Sequence, residues 1–327
     1  MRRLPVALVA ALSALVVPAV AHAGNGGFAP PEPSSPSAER ITDIYWLIMA
    51  LAGLVFFSVM IPLAVFIVRY RSRSRARDVE GPQVRGNTRL ELAWTVAPVL
   101  ILFVIASFVF YKLTGITDPA VAGQRESMTV DVEGRQFYWR FRYPNGVVTF
   151  DTLRLPLDRT TELRITAPDW DVAHSFWVPE LGGKRDAIPG QTTSMDVRPT
   201  RTGSFDLKCA EFCGVQHAAM LGHVDVLAAA GFDDWLSRQQ NAPPVSAGRQ
   251  IFDSVCAKCH GPDVAGEIGP ALEGNPLVAD AQQVANIVRH GRNAMPAVGR
   301  GWSDDEVETL TMYLRQHVAR QGGAGGG

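Results

Sequence analysis

The sequence predicts a multidomain membrane protein: a two-helix transmembrane hairpin, an all-β sandwich or barrel, and a small all-α domain. Three observations carry that expectation. Two long uncharged apolar runs lie in the first third, period-two alternation begins abruptly at about Ser127, and helical spacing returns from Ser246. A length of 327 residues leaves room for about two soluble domains beside such an anchor. A net charge of -1 lacks the broad basic surface that a general nucleic-acid binder needs, so no nucleic-acid partner is expected.

Residues 1–23 read as an export signal. Arg2 and Arg3 precede the apolar run Leu4 to Val20, and Ala21-His22-Ala23 supplies small residues for cleavage. Residues 24–40, "GNGGFAPPEPSSPSAER", form a Pro/Ser-rich arm expected to be extended or mobile. The hairpin is expected over 41–113, with spans at about 44–68 and 92–111. At 1.5 Å per residue the first span is about 37 Å long, enough to cross a hydrocarbon core of about 30 Å with tilt. Pro62 and Pro98 interrupt the spans, which membrane helices tolerate better than soluble ones. The intervening loop carries Arg69, Arg71, Arg73, Arg75, Arg77, Arg85 and Arg89 against Asp78 and Glu80, so the positive-inside rule puts it in the cytoplasm. Everything after Lys112 is then extracytoplasmic, on the periplasmic or outer side of the cell membrane.

The β domain is expected over 125–230. "MTVDVEGRQFYWRFRY" alternates, "YPNGVV" signals a hairpin turn at Asn145-Gly146, and "TTELRITAP" and "SFDLKC" are further short strands. Residues 231–245 read as a closing helix, "GFDDWLSRQQ", followed by the linker "NAPPVS". The helical domain spans 246–320. It places Ile251, Phe252 and Val255 on one face, and near its end a Ser303–Glu306 capping box opens a stripe of Val307, Leu310, Tyr313 and Leu314. Residues 321–327 read as a disordered tail. The core of this domain is thin for its many loops, so a prosthetic group is expected to fill it.

Cys256-Ala257-Lys258-Cys259-His260 names that group. The C-x-x-C-H spacing allows two thioether bonds to haem while the adjacent histidine ligates iron. A thioredoxin-like redox pair needs a βαβ context that is absent; a zinc site of Cys256, Cys259, His260 and His290 is the other alternative. Met295, in "NAMPAVG", is the expected sixth ligand, with His290 as the bis-histidine option and Met312 assigned to the core.

The second dense stretch is "CAEFCGVQHAAM", residues 209–220, a loop between "SFDLKC" and "LGHVDVL". A Cys209–Cys213 disulfide would leave His217 and Met220 unexplained, and zinc has no use for methionine. Thiolate, imidazole and a weak thioether together suit electron-transfer copper. A further histidine must come from elsewhere, and His174 in "DVAHSFWVPELGGKRDAIPG" is the best candidate; His223 and His317 read as solvent-facing. Two thiolates shared by two copper ions would spread one unpaired electron over both metals.

The paired spans, the H-S-F and D-A-I-P-G segments and C-x-E-x-C-x-x-x-H-x-x-M resemble cytochrome c oxidase subunit II. The appended C-x-x-C-H domain is similar to the fused, caa-type form of haem-copper oxidases. The resemblance implies a cupredoxin-like barrel holding a dinuclear CuA centre and an all-α cytochrome c domain. Residue by residue it implies that Cys209 and Cys213 bridge the coppers, that His174 and His217 each bind one, and that Met220 is axial. Glu211 would ligate through its backbone carbonyl while its side chain reaches a magnesium ion at the subunit I boundary. Glu91, three residues before Trp94, matches the glutamate at the mouth of a proton channel, although an interfacial carboxylate reaching water reads the same. In "GRQFYWRF", Phe137 stands where many members have the tryptophan that receives electrons from soluble cytochrome c; Tyr138 and Trp139 follow it as electron-path or core aromatics.

The expected function is that of subunit II of a terminal cytochrome c oxidase. Electrons from an external donor would pass through covalent haem c and CuA to subunit I, where dioxygen is reduced to water with proton pumping. The spans contain no histidine, so the oxygen-reducing site belongs to a partner. Expected partners are subunit I and the other oxidase subunits, with cytochrome c or a quinol–cytochrome c reductase complex upstream. The alternatives are the electron-input subunit of a CuA-containing nitric oxide reductase and a membrane-anchored copper-binding assembly protein.

Overall fold

The computed structural model describes residues 28–70, 83, 85–117, 128–241 and 243–321. The expected export signal, most of the Arg-rich loop and the Gly-rich tail lie outside the described residues.

Two long helices form the anchor, α1 (Pro36–Arg69) and α2 (Thr88–Thr117). Ser35 caps α1 by accepting from the Ala38 N–H at 3.1 Å, and Pro36 supplies the first helical φ. Large apolar side chains such as Phe56, Phe66 and Phe103 stand exposed along both helices. Helices apolar on every side are stable only in a non-aqueous surround, and both are long enough to cross a bilayer. The expected spans lie inside these bounds.

The arm departs from expectation: from Ser34 onward it is held. Ser34 and Ser35 are buried, Ser34 N–H donates to the Glu180 carbonyl at 2.7 Å, and Thr200 N–H donates to the Ser34 carbonyl at 2.8 Å. Ser35 Oγ donates to the Leu181 carbonyl at 2.7 Å. Composition hid this, because the arm is held by backbone and hydroxyl hydrogen bonds rather than by apolar burial.

Among the described residues, ten strands make two facing sheets. One has the order β3 (Val148–Phe150), β2 (Tyr138–Arg142), β1 (Met128–Arg135), β5 (Thr161–Thr166), β8 (Thr193–Val197). The other runs β4 (Thr152–Pro156), β10 (Leu221–Leu227), β9 (Gly203–Cys209), β6 (His174–Trp177), β7 (Arg185–Ala187). The β1–β5 and β10–β4 pairs are parallel and the remaining pairs antiparallel. Leu163 and Ile165 of β5 point inward while Arg164 between them faces out, the alternation that one buried face demands. With Trp139, Phe141, Leu153 and Leu207 they are fully buried, each contributing ~1.5–3 kcal/mol by burial. Helix α3 (Ala229–Gln240) closes one end, with Phe232 and Trp235 against Tyr143. This is the cupredoxin-like barrel.

The C-terminal domain comprises α4 (Pro244–Ile251), a π turn (Phe252–Cys256), α5 (Ala257–His260), α6 (Pro276–Ala279), α7 (Ala281–His290) and α8 (Asp304–Gln321). The linker is shorter than expected, because Pro244 already starts α4. Helices α4 and α8 cross at Gly248, where a Cβ would lie 2.3 Å from the Thr309 carbonyl oxygen, so only glycine admits the crossing. The capping box forms as expected: Glu306 N–H donates to Ser303 Oγ at 3.3 Å, and Ser303 N–H to Glu306 Oε2 at 2.7 Å. Ile251, Phe252, Val255, Val307, Leu310, Tyr313 and Leu314 are all buried.

Strand β2 joins the two soluble domains. Trp139 and Phe141 face the barrel core, whereas Tyr138 packs with Phe150 of β3 into the core of the helical domain. Arg140 also faces that way and pairs with Glu306 at 2.7 Å. A strand covered on both faces explains the unbroken aromatic and cationic run Y-W-R-F.

Candidate functional site

The copper-ligand candidates converge at one end of the barrel. His174 opens β6, Cys209 closes β9, Cys213 lies in the following loop, and His217 starts a 3₁₀ turn (His217–Ala219) that delivers Met220 to the head of β10. Strands β6 and β9 are paired neighbours, and that pairing carries His174 across 35 residues to Cys209.

The donor atoms face one another. Cys209 Sγ is 3.9 Å from Cys213 Sγ and 4.0 Å from His174 Nδ1. Cys213 Sγ is 3.7 Å from His217 Nδ1 and 3.8 Å from Met220 Sδ. The Glu211 carbonyl oxygen lies 3.2 Å from Cys209 Sγ. His174 and Met220 are fully buried, and all four cysteines of the chain are free thiols. Thus one imidazole stands beside each sulfur and the thioether beside one of them. Two soft thiols, two ring nitrogens and a thioether sulfur fit copper better than zinc.

The electrostatics suit cation binding. The Cys209 thiol is drawn down to about 3, chiefly by its hydrogen bond with Cys213 and then by His174, against the opposing effect of burial. Cys213 is driven in the opposite direction by the same contact, since two thiolates this close repel. Burial opposes charge on His174, but hydrogen bonds to Asp171 and Cys209 outweigh it and raise the imidazole. Asp171 Oδ1 sits 3.3 Å from His174 Nε2, leaving Nδ1 aimed at the sulfurs. Sequence reasoning missed Asp171; its position three residues before His174 in "DVAH" was the available signal.

The Glu211 carboxylate lies 3.6 Å from Lys184 Nζ and is half exposed. Glu91 caps α2: its Oε1 accepts from the Asn87 N–H at 3.0 Å while Asn87 Oδ1 accepts from the Leu90 N–H at 3.2 Å. Phe137 packs partly buried against the barrel core, while Trp139 meets the His174 ring edge-on with centroids 6.2 Å apart.

In the helical domain, Cys256 ends the π turn and Cys259 and His260 lie on α5. His260 is buried, and its Nδ1 donates to the Pro270 carbonyl at 2.8 Å. That bond fixes the tautomer and leaves Nε2 as a lone-pair donor, the state in which an imidazole can hold iron. Burial raises both thiols, Cys256 to about 12. Met295 is half-buried in a tight turn closed by reciprocal backbone bonds with Arg292. His290 is exposed and spends Nδ1 on the Asn286 carbonyl at 3.0 Å, and Met312 lies half-buried on α8. The side chain of His317 lies outside the described residues, and His223 is exposed.

The structure also brings together residues that no motif singled out. Lys258, between the two cysteines, reaches the barrel: its Nζ donates to the Phe137 carbonyl at 2.9 Å and lies 2.6 Å from the Asp151 carboxylate. Asp151 also accepts the Trp139 N–H at 2.8 Å.

The chain is similar to known proteins in three segments. Family models described as cytochrome c oxidase subunit II transmembrane domain and periplasmic domain match residues 23–111 and 151–226. One described as cbb3-type cytochrome c oxidase subunit III matches residues 243–314. Cytochrome c oxidase subunit 2 of Alkalihalophilus pseudofirmus is 33% identical over 317 residues, covering 87% of this chain and 89% of that protein. The subunit 2 of a Synechocystis species is 28% identical over 300 residues, covering 78% and 89%. The solved periplasmic domain of subunit II of cytochrome oxidase from Bradyrhizobium japonicum shares 26% identity at a TM-score of 0.33, covering 35% of this chain and 94% of that one.

Proposed function

The chain belongs to the cytochrome c oxidase subunit II family and carries a fused cytochrome c domain, and on that premise we propose that it is the electron-input arm of a haem-copper oxidase. An external donor, cytochrome c or a quinol–cytochrome c reductase complex, delivers electrons to the C-terminal domain. They leave from the barrel to subunit I, where dioxygen is reduced and protons are pumped. The observation that supports this reading is the cluster at one end of the barrel in which His174 and Cys213 contact Cys209, and His217 and Met220 contact Cys213.

Cys209, Cys213, His174, His217, Met220 and the Glu211 carbonyl would together hold a dinuclear copper centre. Cys256 and Cys259 would attach a haem, and His260 and Met295 would hold its iron. Bound there, these groups supply reversible one-electron storage. The protein's own part is to hold geometry and exclude water. Asp171 fixes the His174 tautomer, Pro270 fixes that of His260, and the buried walls around Met220 keep the copper donors dry. A site clamped by two strands and a short turn reorganises little when its charge changes by one. Tethering the cytochrome raises its effective concentration to the order of mM, so no diffusional encounter with the barrel is needed.

The Arg-rich loop then faces the cytoplasm and both soluble domains face outward. Glu91 lies at the cytoplasmic mouth of a proton path into subunit I, and the Glu211 carboxylate reaches a magnesium ion at the subunit I boundary.

Low-temperature EPR of the oxidised, metal-loaded protein tests the reading. Hyperfine structure from one electron shared by two copper nuclei, together with a covalently retained haem, is expected. A single-copper spectrum, or no copper at all, overturns it.

A further inference from the structure

Three contacts meet on the dipeptide Gln136–Phe137. From the cytochrome domain, Lys258 Nζ donates to the Phe137 carbonyl at 2.9 Å. Toward the copper-ligand loop, Gln136 Nε2 donates to the Cys213 carbonyl at 2.5 Å. Gly214, next to Cys213, lies flat against the Phe137 ring: a Cβ there would stand 3.1 Å from Cε1, and its φ of +131° already favours glycine. Lys258 is bonded to Cys259 along the chain. Two hydrogen bonds therefore complete an unbroken path: Cys259, the Lys258 side chain, the Phe137 carbonyl, the Gln136 side chain, the Cys213 carbonyl.

We infer that Lys258 is the crossing point for electrons between the two cysteine sets, and that Gln136 hands them on to the copper loop. The inference rests on the proposed reading that both sets hold one-electron carriers. One electron leaves the carrier held by Cys256 and Cys259 and reduces the carrier held by Cys209 and Cys213; no proton or atom changes hands. Hydrogen bonds between covalent segments couple donor and acceptor more strongly than a gap between non-bonded atoms does. Lys258 cannot swing into water, because Asp151 holds its ammonium at 2.6 Å with side-chain exposures of 19% and 11%. Lys258 is a positioning residue: it holds the C-A-K-C-H turn on the barrel and closes the path.

The test uses the full protein in its oxidase complex, loaded with haem and copper. A light-excited ruthenium complex, regenerated by a sacrificial amine donor, gives one electron to the haem, and transfer to the copper centre is followed by absorbance. Haem midpoint potential, copper EPR and hydrogen-exchange protection of residues 298–302 are recorded beside it. Lys258→Met and Gln136→Leu are each expected to slow transfer several-fold with potential, spectrum and protection unchanged, and Lys258→Arg to recover most of the rate. If Lys258→Met instead releases the domain, Gln136→Leu decides alone, because the Gln136 Nε2 bond to the Cys213 carbonyl lies within the barrel. Parental transfer rates in Gln136→Leu with the domain still docked overturn the inference. A parent protein lacking the haem or the shared-copper signal defeats the functional reading instead.

Discussion

The Tyr138 hydroxyl accepts a hydrogen bond from Trp302 Nε1 at 2.8 Å and donates to the Val298 carbonyl at 2.7 Å, across the boundary between the two soluble domains. Tyr138 belongs to the barrel by sequence and to the cytochrome domain by packing. Its ring tilts against Phe150 and meets Trp302 edge-on, a geometry worth ~0.5–1.5 kcal/mol per pair beyond burial. The cytochrome domain is therefore seated on β2 and β3.

Tyr138→Phe keeps the ring but leaves the Trp302 N–H and the Val298 carbonyl without their partner. An unsatisfied buried group costs about 1–3 kcal/mol. The expected outcome is loss of exchange protection at residues 298–302 at unchanged barrel stability, measured by native-state hydrogen exchange.

Arg140→Met removes a guanidinium that bonds Glu133 at 3.2 Å and Glu306 at 2.7 Å. Stranding a buried carboxylate costs about 3–5 kcal/mol. Glu306 also completes the α8 capping box, so the variant should loosen both docking and the start of α8. Adding Glu306→Gln should restore much of the loss; an unrecovered double variant would count against the pairing.

Asp171→Asn leaves the site's shape intact but weakens the acceptor that holds His174 Nε2. Loss of such an outer partner typically lowers metal affinity ~10–100-fold. A competitive copper titration against a chelator of known affinity measures this, and Asp171→Glu should lose less.

Asp151 carries the pH prediction. Burial lifts its carboxyl from 3.8 to about 6, with Lys258, the Trp139 N–H and His223 opposing. Folded protein holds that proton up to about pH 6, whereas unfolded chain releases it near 3.8. Between these values folding takes up a proton, so this group's contribution to stability grows as pH falls from about 6 to about 4, and above pH 6 it is a cost. Asp151→Asn should abolish that dependence, visible as a flatter plot of unfolding temperature against pH across the window.

Met220→Leu conserves volume in a fully buried site and removes only the thioether that lies 3.8 Å from Cys213. Copper should remain bound while the centre's midpoint potential shifts. An unmoved potential would remove Met220 from the ligand set.

Much of this protein is local, and what is local can be read from its sequence. Apolar run length set the two helices, alternation set Leu163 and Ile165 inward, the Asn145-Gly146 turn set the β2–β3 hairpin, and Ser303–Glu306 set the start of α8, because each depends on neighbours within a few residues. The C-A-K-C-H turn and the 209–220 loop were legible for the same reason: their donors are clustered in the chain. What only the tertiary structure decided is long-range. Asp171 matters because β6 pairs with β9; Ser34 and Ser35 are anchored because their hydrogen bonds reach Glu180, Leu181 and Thr200. Lys258 and Gln136 acquire a role only when the helical domain sits on β2. The contacts of Ser34, Ser35, Lys258 and Gln136 join residues 77 or more positions apart, through single polar atoms that leave no periodicity behind.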